Sequence, residues 1–241
     1  MSLGQILLLI VLYTFVLQIV AAGLALIQIG WLWRSAALVE AGFLAWLWRH
    51  VRMLGGRIGL RPFSPREAAW VVLWLNAVAL FNDAALVWLL PAGLVDQYLR
   101  PFRPGGTGEW LGLAAVAILL APAIEEILFR GLLLWRLEEI GGKRFAVLAT
   151  TTLFALVHTL PLQILAAIVP GLLLAAYRAN GGSLYVTFLA HASGNTVSFL
   201  GLVFPGTPWI SVSWEPPFWS GVLALLLTPL LAWSFLRRYP F

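Results

Sequence analysis

The stretch Leu111–Leu134, which reads LGLAAVAILLAPAIEEILFRGLLL, decides the fold of this chain. Its apolar length is enough to cross a bilayer core of about 30 Å. Glu125, Glu126 and Arg130 lie within it, and each ionisable group costs roughly 2.5–3.5 kcal/mol at the centre of a membrane helix. Because intramembrane charges mark functional sites by default, the stretch predicts a transmembrane helix that carries reactive groups.

The composition of the whole chain is typical of a polytopic membrane protein. Of its 241 residues, 61% are hydrophobic and 10% are charged, against about 25% charged residues in soluble domains. No polar block is long enough for a separate soluble domain, so residues 1–241 are predicted to form a single integral membrane domain. The absence of cysteine excludes thiol nucleophiles, disulfides and thiolate–metal sites.

Apolar windows of about 20 residues predict an all-α membrane bundle of about eight transmembrane helices. The first window is too long for a signal peptide and is expected to remain as an anchor. The second window is interrupted by Arg34, Glu40 and Arg49. The alternative to a membrane span here is a helix that lies along the membrane interface. The predicted helices comprise residues 3–29, 34–53, 66–91, 109–137, 143–159, 161–179, 183–204 and 217–236.

Basic residues are distributed unequally between the two sides of this predicted bundle. Of the 15 lysine and arginine residues, Arg34, Arg100 and Arg103 fall on one side. Most of the others fall on the opposite side, which contains the Arg49–Arg66 loop and the C-terminus. The positive-inside rule therefore predicts a multi-pass protein of the cell membrane with a cytoplasmic C-terminus. Topology explains the basic excess, so the expected partner is the lipid bilayer and not nucleic acid.

Two further predicted helices carry polar groups inside apolar sequence. His158 closes the segment Phe154-Ala-Leu-Val-His158, and His191 opens the segment His191-Ala-Ser-Gly-Asn195. At a rise of 1.5 Å per residue, these groups and Glu125 lie about 12–22 Å from the cytoplasmic ends of their helices. Three helices thus deliver polar groups to similar membrane depths, and we expect an intramembrane polar cavity within the motif-bearing core of residues 109–204.

Helix geometry predicts different roles for the two glutamates. Glu126 and Arg130 are four residues apart and share a helix face, so they are predicted to pair. Glu125 is rotated by about 100° and points elsewhere. A buried ion pair that only fixes helix packing explains Glu126 and Arg130 but gives Glu125 no partner. We therefore interpret Glu125 as available for chemistry and the other two as supporting residues.

The remaining polar residues have structural alternatives. Each of His158 and His191 on its own could be a hydrogen-bonding contact between helices, which is common in membrane bundles. His191 and Asn195 lie four apart on one helix face, which favours a shared site. Asn76 and Asp83, about two turns apart, either line the same cavity or satisfy each other and neighbouring helices, and we favour the structural role.

Several intramembrane protease designs are excluded by missing residues. No His-Glu-x-x-His segment occurs, which excludes the helix pattern of zinc proteases. Asp83 and Asp96 are the aspartates of the chain, and the second falls in a loop, so a membrane aspartyl dyad lacks a partner. Ser193 lies two residues from His191 and projects from nearly the opposite helix face. Carboxylate and imidazole groups that act on water remain.

Three segments, in this order, closely resemble the motifs of the CPBP (CAAX protease and bacteriocin-processing, Abi) family. They are Glu125-Glu126-Ile-Leu-Phe-Arg130-Gly131, Phe154-x-x-x-His158 and His191-x-x-x-Asn195. That family contains the type II CAAX prenyl endopeptidases and many bacterial relatives. The resemblance covers roughly residues 109–200, and the rest of the chain is compatible with it.

The resemblance implies a catalytic set for peptide-bond hydrolysis. Glu125 would be the general base that activates water, aided by His158. His191 and Asn195 would stabilise the oxyanion, and Glu126 with the arginine four residues on would hold the site. Zinc or another divalent cation is a possible cofactor, because Glu125 and the two histidines would form a chemically reasonable His₂Glu–water site. We favour the metal-independent mechanism, in which no cofactor is required.

The family's activity implies hydrolysis of a peptide bond in or beside the membrane. The expected substrate is a membrane-associated peptide or lipidated protein, as in the removal of a C-terminal tripeptide after a prenylated cysteine. The competing class is a non-enzymatic protein, either a proton-coupled transporter or a bacteriocin-immunity scaffold. A transporter would usually show paired repeats with broken helices, and a vestigial scaffold should have lost at least one site residue.

Overall fold

The computed structural model describes residues 1–17, 19–20, 23, 32–91, 93–95, 106–158, 160–208 and 217–241. Across these ranges the chain is helical and contains no strand. The all-α prediction is therefore confirmed. The predicted first helix beyond residue 17 lies almost entirely outside the described residues, as do Asp96, Arg100 and Arg103.

The described residues form α-helices that alternate with wider π-helical segments. The α-helices are α1 Leu3–Val11, α2 Leu32–Val51, α3 Pro65–Leu89, α4 Thr107–Ala114, α5 Ala121–Glu125, α6 Leu134–Leu156, α7 Pro161–Ala179, α8 Leu184–Val203 and α9 Phe218–Arg238. The π-helical segments are Leu12–Leu17, Ala115–Leu120 and Glu126–Leu133, and a 3₁₀ segment spans Arg52–Ile58. Such π-helical segments frequently occur at functional sites, and the third one contains Glu126 and Arg130.

Five helical segments of the described chain are long and apolar enough to cross a membrane: α3, Thr107–Leu156, α7, α8 and α9. The charged helix α2 is not among them. Thr107–Leu156 comprises 50 residues, which would measure about 75 Å if straight and exceed the bilayer core more than twofold. It breaks at Gly142, whose φ is 75°, between the predicted helices 109–137 and 143–159. The count of about eight spans stays a prediction.

His158 lies just beyond the end of α6, so the predicted helix 143–159 was wrong at its C-terminal end. The helix ends at Leu156. Pro161 begins α7, and Leu160 before it is extended, with φ −94° and ψ 132°. Proline disfavours helical geometry in the residue that precedes it, because its ring clashes with that residue's backbone. His158 therefore occupies the junction between α6 and α7.

The packing of the helices places three elements around the glutamates. The central helix α3 packs against α7, α8 and α9, and its residues Val71 and Val78 are fully buried. The helix α8 also packs against α5 and against the π-helical segments on both sides of it. From another direction, α1 packs against Glu126–Leu133. As a result, α1, α5 and α8 approach the same short stretch of chain.

The orientation predicted from the basic residues leads to an expected labelling pattern. Met53, in the Arg49–Arg66 segment, is 84% exposed, and Phe204, just beyond α8, is 58% exposed. Since the chain contains no cysteine, Met53→Cys and Phe204→Cys each introduce a unique thiol. In intact cells, a membrane-impermeant maleimide should label Phe204→Cys and spare Met53→Cys, whereas both should react in lysed cells. The reverse pattern in intact cells contradicts the orientation.

Candidate active site

Glu126 and Arg130 form a fully buried ion pair. Their side chains are 1% and 0% exposed, and Nη1 of Arg130 lies 3.0 Å from Oε1 of Glu126. Arg130 also donates from Nη2 to the carbonyl of Gly171 at 3.3 Å, and its guanidinium carbon lies 3.9 Å from the centroid of the Phe154 ring. The contact predicted from the four-residue spacing is present, and Arg130 links its own segment to α6 and α7.

His191 contacts both glutamates, one through each ring nitrogen. Its Nδ1 lies 2.9 Å from Oε1 of Glu126, and its Nε2 lies 3.7 Å from Oε2 of Glu125. An ionised carboxylate only accepts hydrogen bonds. With the Glu126 carboxylate ionised in its pair with Arg130, Nδ1 of His191 therefore donates to it. In the neutral imidazole, Nε2 then carries a lone pair that faces Glu125.

The Glu125 side chain lines a cavity and, like Glu126, faces His191. It is 13% exposed, against 1% for Glu126. Its Oε1 accepts a hydrogen bond from the hydroxyl of Tyr13 at 3.4 Å, and its Oε2 is the oxygen that faces His191. The two oxygens of Glu125 therefore meet different helices, and the carboxylate remains reachable from the cavity.

His158 is oriented by the backbone of its own motif. Its Nδ1 lies 2.8 Å from the carbonyl oxygen of Phe154. Because a carbonyl only accepts, Nδ1 carries the proton, and Nε2 of the neutral ring keeps a lone pair. The Phe154 ring meets both imidazoles edge to face, at centroid distances of 5.0 Å to His158 and 5.9 Å to His191. Phe154 thus fixes the spacing between the two histidines.

Asn195 is anchored across the bundle. Its Nδ2 donates to the carbonyl of Ala117 at 2.7 Å, in the π-helical segment Ala115–Leu120. An asparagine amide carries two N–H donors, so this contact holds the group in place with one of them. Asn195 and His191 lie on one side of α8 and both line the cavity, as their four-residue spacing predicts.

The residues predicted to be catalytic line one cavity. Its volume is about 530 Å³, within the range of about 300–1,000 Å³ that is typical of ligand sites. Glu125, His158, His191 and Asn195 all line it. They come from α5, the α6–α7 junction and α8, which are separate in sequence. Glu126 and Arg130 are not part of the cavity wall and lie behind it. There Glu126 contacts His191, and Arg130 contacts Gly171 of α7.

Two polar residues of α3 line the same cavity. Asn76 donates to the hydroxyl of Ser193 at 2.7 Å and to the carbonyl of Val72 at the same distance. Asp83 accepts from the amide of Asn82 at 3.4 Å. The sequence favoured a structural role over a place on the cavity wall. The structure places both residues on the wall, and Asn76 also bonds to the neighbouring helix α8, whereas the Asp83 contact lies within α3. The contact with Asn76 also accounts for Ser193 without a nucleophilic role.

Several polar residues of the cavity wall have no signal in the sequence, among them Tyr13 and Glu40. Glu40 is 2% exposed, and in the sequence it is recognisable only as a charge that weakens the second predicted span. Tyr13 lies in an apolar helix with no ionisable residue nearby in sequence. Its role depends on a contact with a residue 112 positions away, so no local pattern could have identified it.

The side chains of the metal-dependent alternative do not form a ligand set. Among the residues that the structure describes, no three His, Cys, Asp or Glu side chains are grouped so that they could hold a metal ion. Glu125, His158 and His191 share the cavity, and Nδ1 of each histidine contacts an oxygen of the protein, which leaves Nε2 as the nitrogen that a ligand can meet. The metal-independent mechanism favoured from the sequence stays a prediction.

The segment that contains these residues matches a known protein family. Residues 107–197 match the family model described as type II CAAX prenyl endopeptidase Rce1-like. The match includes all three motifs and confirms the resemblance inferred from them. It favours a CAAX-type intramembrane protease over the non-enzymatic alternatives. No curated protein and no solved structure matches the chain.

Proposed function

We propose that this chain, which belongs to the CAAX protease family through its residues 107–197, is an endopeptidase that hydrolyses a peptide bond with water activated by Glu125. The proposed substrate is a membrane-associated protein whose scissile bond lies near a lipidated, CAAX-type C-terminus. The observation that carries the proposal is the meeting of Glu125, His158, His191 and Asn195 at one cavity between apolar helices.

In the proposed reaction, the Glu125 carboxylate is the general base. It is buried enough to be oriented and exposed enough to meet a water molecule in the cavity. Nε2 of His158 has a lone pair for a second hydrogen bond to the same water, because Nδ1 donates to the backbone. A base within hydrogen-bond reach of the proton that it abstracts typically contributes about 10²–10⁴-fold to the rate.

Every bond and proton of the proposed reaction is accounted for within the site. As Glu125 takes one proton from water, the water oxygen forms a bond to the carbonyl carbon, and the carbonyl electrons move to its oxygen. When this tetrahedral intermediate collapses, the C–N bond breaks and the protonated Glu125 returns the proton to the leaving nitrogen. The products are a carboxylic acid and an amine, and Glu125 is again a carboxylate.

The oxyanion of this intermediate needs hydrogen-bond donors aimed at it. In the proposal, Asn195 supplies the amide N–H that is not bonded to Ala117. His191 can add a donor from Nε2 only when both of its nitrogens are protonated, because the Nδ1 proton is committed to Glu126. Asn195 is therefore the donor that acts in either protonation state of the imidazole.

Cleavage of a farnesylated CAAX peptide by the purified full-length protein in detergent tests the proposal. The expected result is release of the C-terminal tripeptide, detected by mass spectrometry, with and without EDTA. The Glu125→Gln protein is the matched control and should release none. A metal requirement would appear as activity that EDTA removes and zinc restores. The proposed function is refuted if the wild-type protein does not cleave the farnesylated peptide, or if Glu125→Gln cleaves it equally well.

A further inference from the structure

We infer that Tyr13 is a positioning residue for Glu125, an inference that rests on the proposed role of Glu125 as the base. Tyr13 lies in the π-helical segment Leu12–Leu17, far outside the matched segment 107–197. Its hydroxyl donates to Oε1 of Glu125 at 3.4 Å. The N-terminal helix, which carries none of the three motifs, thereby supplies a direct contact to the reacting carboxylate.

The Tyr13 ring is held firmly enough to direct its hydroxyl. The residue is 6% exposed and belongs to the same buried cluster as Ile124 and Leu128, which flank the glutamates. Its ring stacks on Phe43 of α2, with a centroid distance of 6.0 Å and an interplanar angle of 14°. Phe43 of α2 and the buried cluster that contains Ile124 and Leu128 thus hold the ring, while the hydroxyl reaches the cavity wall beside Glu125.

The hydroxyl distinguishes the two oxygens of the carboxylate. A phenol has one proton to donate, and here it goes to Oε1, while Oε2 faces His191 at 3.7 Å. Tyr13 therefore holds Oε1 and presents Oε2 on the His191 side as the oxygen that receives the proton of water. Because misplacement of a catalytic group by about 1 Å can cost on the order of 10²-fold in rate, a contact that fixes this carboxylate affects turnover.

The variant Tyr13→Phe removes the hydroxyl and keeps the ring. We expect kcat to fall about 10-fold, because the Glu125 carboxylate loses the contact that orients it. KM should be unchanged, and the melting temperature should fall slightly, because one hydrogen bond to a charged group is lost. The matched control is Tyr185→Phe, which removes a phenol hydroxyl from a residue that is 43% exposed and outside the cavity wall; it should leave kcat unchanged. Replacing Tyr13 by 4-aminophenylalanine restores an N–H donor and should recover most of the lost kcat.

The contact can also be measured without turnover. With Tyr13 isotopically labelled at its phenol carbon, the infrared C–O band should shift when Glu125 is changed to alanine, and the same label at Tyr185 should show no shift. An unshifted Tyr13 band overturns the inference, even if no variant folds well enough for kinetics. Full kcat in Tyr13→Phe also overturns it, provided that Glu125→Gln is inactive. If the wild-type protein cleaves nothing, the proposed function is refuted. The infrared band of Tyr13 still shows whether its hydroxyl contacts Glu125.

Discussion

Replacement of Glu125 by glutamine is expected to abolish turnover and leave the protein folded. Glutamine has nearly the same shape, and its amide oxygen can still accept the hydrogen bond from Tyr13. It cannot take a proton from water, and the loss of a positioned base costs about 10²–10⁴-fold in rate. The measurement is kcat with the farnesylated peptide, together with the melting temperature in the same detergent.

The matched comparison for this prediction is a carboxylate outside the cavity. Glu67 lies at the start of α3 and accepts a hydrogen bond from Tyr177 at 2.8 Å, and it does not line the cavity. Glu67→Gln should retain kcat to within a few-fold. A Glu125→Gln protein with more than about a tenth of wild-type kcat would show that another group activates water.

The second large effect is expected in stability, on changing Glu126 to glutamine. This change leaves Arg130, which is 0% exposed, without its anionic partner. Breaking a buried ion pair by removing one partner costs about 3–5 kcal/mol, because an uncompensated charge remains inside. His191 also loses the charge at its Nδ1 contact. The melting temperature should therefore fall markedly, and kcat should fall with it.

A double variant separates the charge effect from a general packing defect. In Glu126→Gln combined with Arg130→Met, no buried charge remains at this position, and part of the lost stability should return. Thermal denaturation of wild type, Glu126→Gln, Glu125→Gln and the double variant in one detergent provides the comparison. Equal thermal damage from Glu125→Gln and Glu126→Gln would mean that the division of roles between the two glutamates is incorrect.

Much of the candidate site was predictable because its motifs are local. The four-residue spacing of Glu126 and Arg130 predicts their contact, and the same spacing places His191 and Asn195 on one side of α8. The break at Gly142 falls between two helices that the apolar windows predict, and glycine tolerates the positive φ found there. The end of the helix before His158 was misjudged, because Pro161 acts on the residues before it.

Other contacts had no signal in any short window of sequence. The hydrogen bond from Asn195 to Ala117 joins α8 to a π-helical turn 78 residues earlier. The bond between Asn76 and Ser193 spans 117 residues. Each depends on which faces of two helices meet, and this is set by the packing of many side chains together. The placement of Asn76 and Asp83 on the cavity wall followed from that packing and could not be read from their spacing alone.

Sequence alone predicts an all-helical chain that is apolar enough for membrane-crossing helices. It also carries three segments that resemble the motifs of the CAAX protease family, whose model matches residues 107–197. Those properties follow from the length of apolar runs and from spacings within single helices. The contacts of Glu126 with His191 and of Tyr13 with Glu125 follow instead from the packing of the helices in three dimensions. These contacts cross 65 and 112 residues of chain, and they exist because close-packed helices bring remote side chains to one cavity.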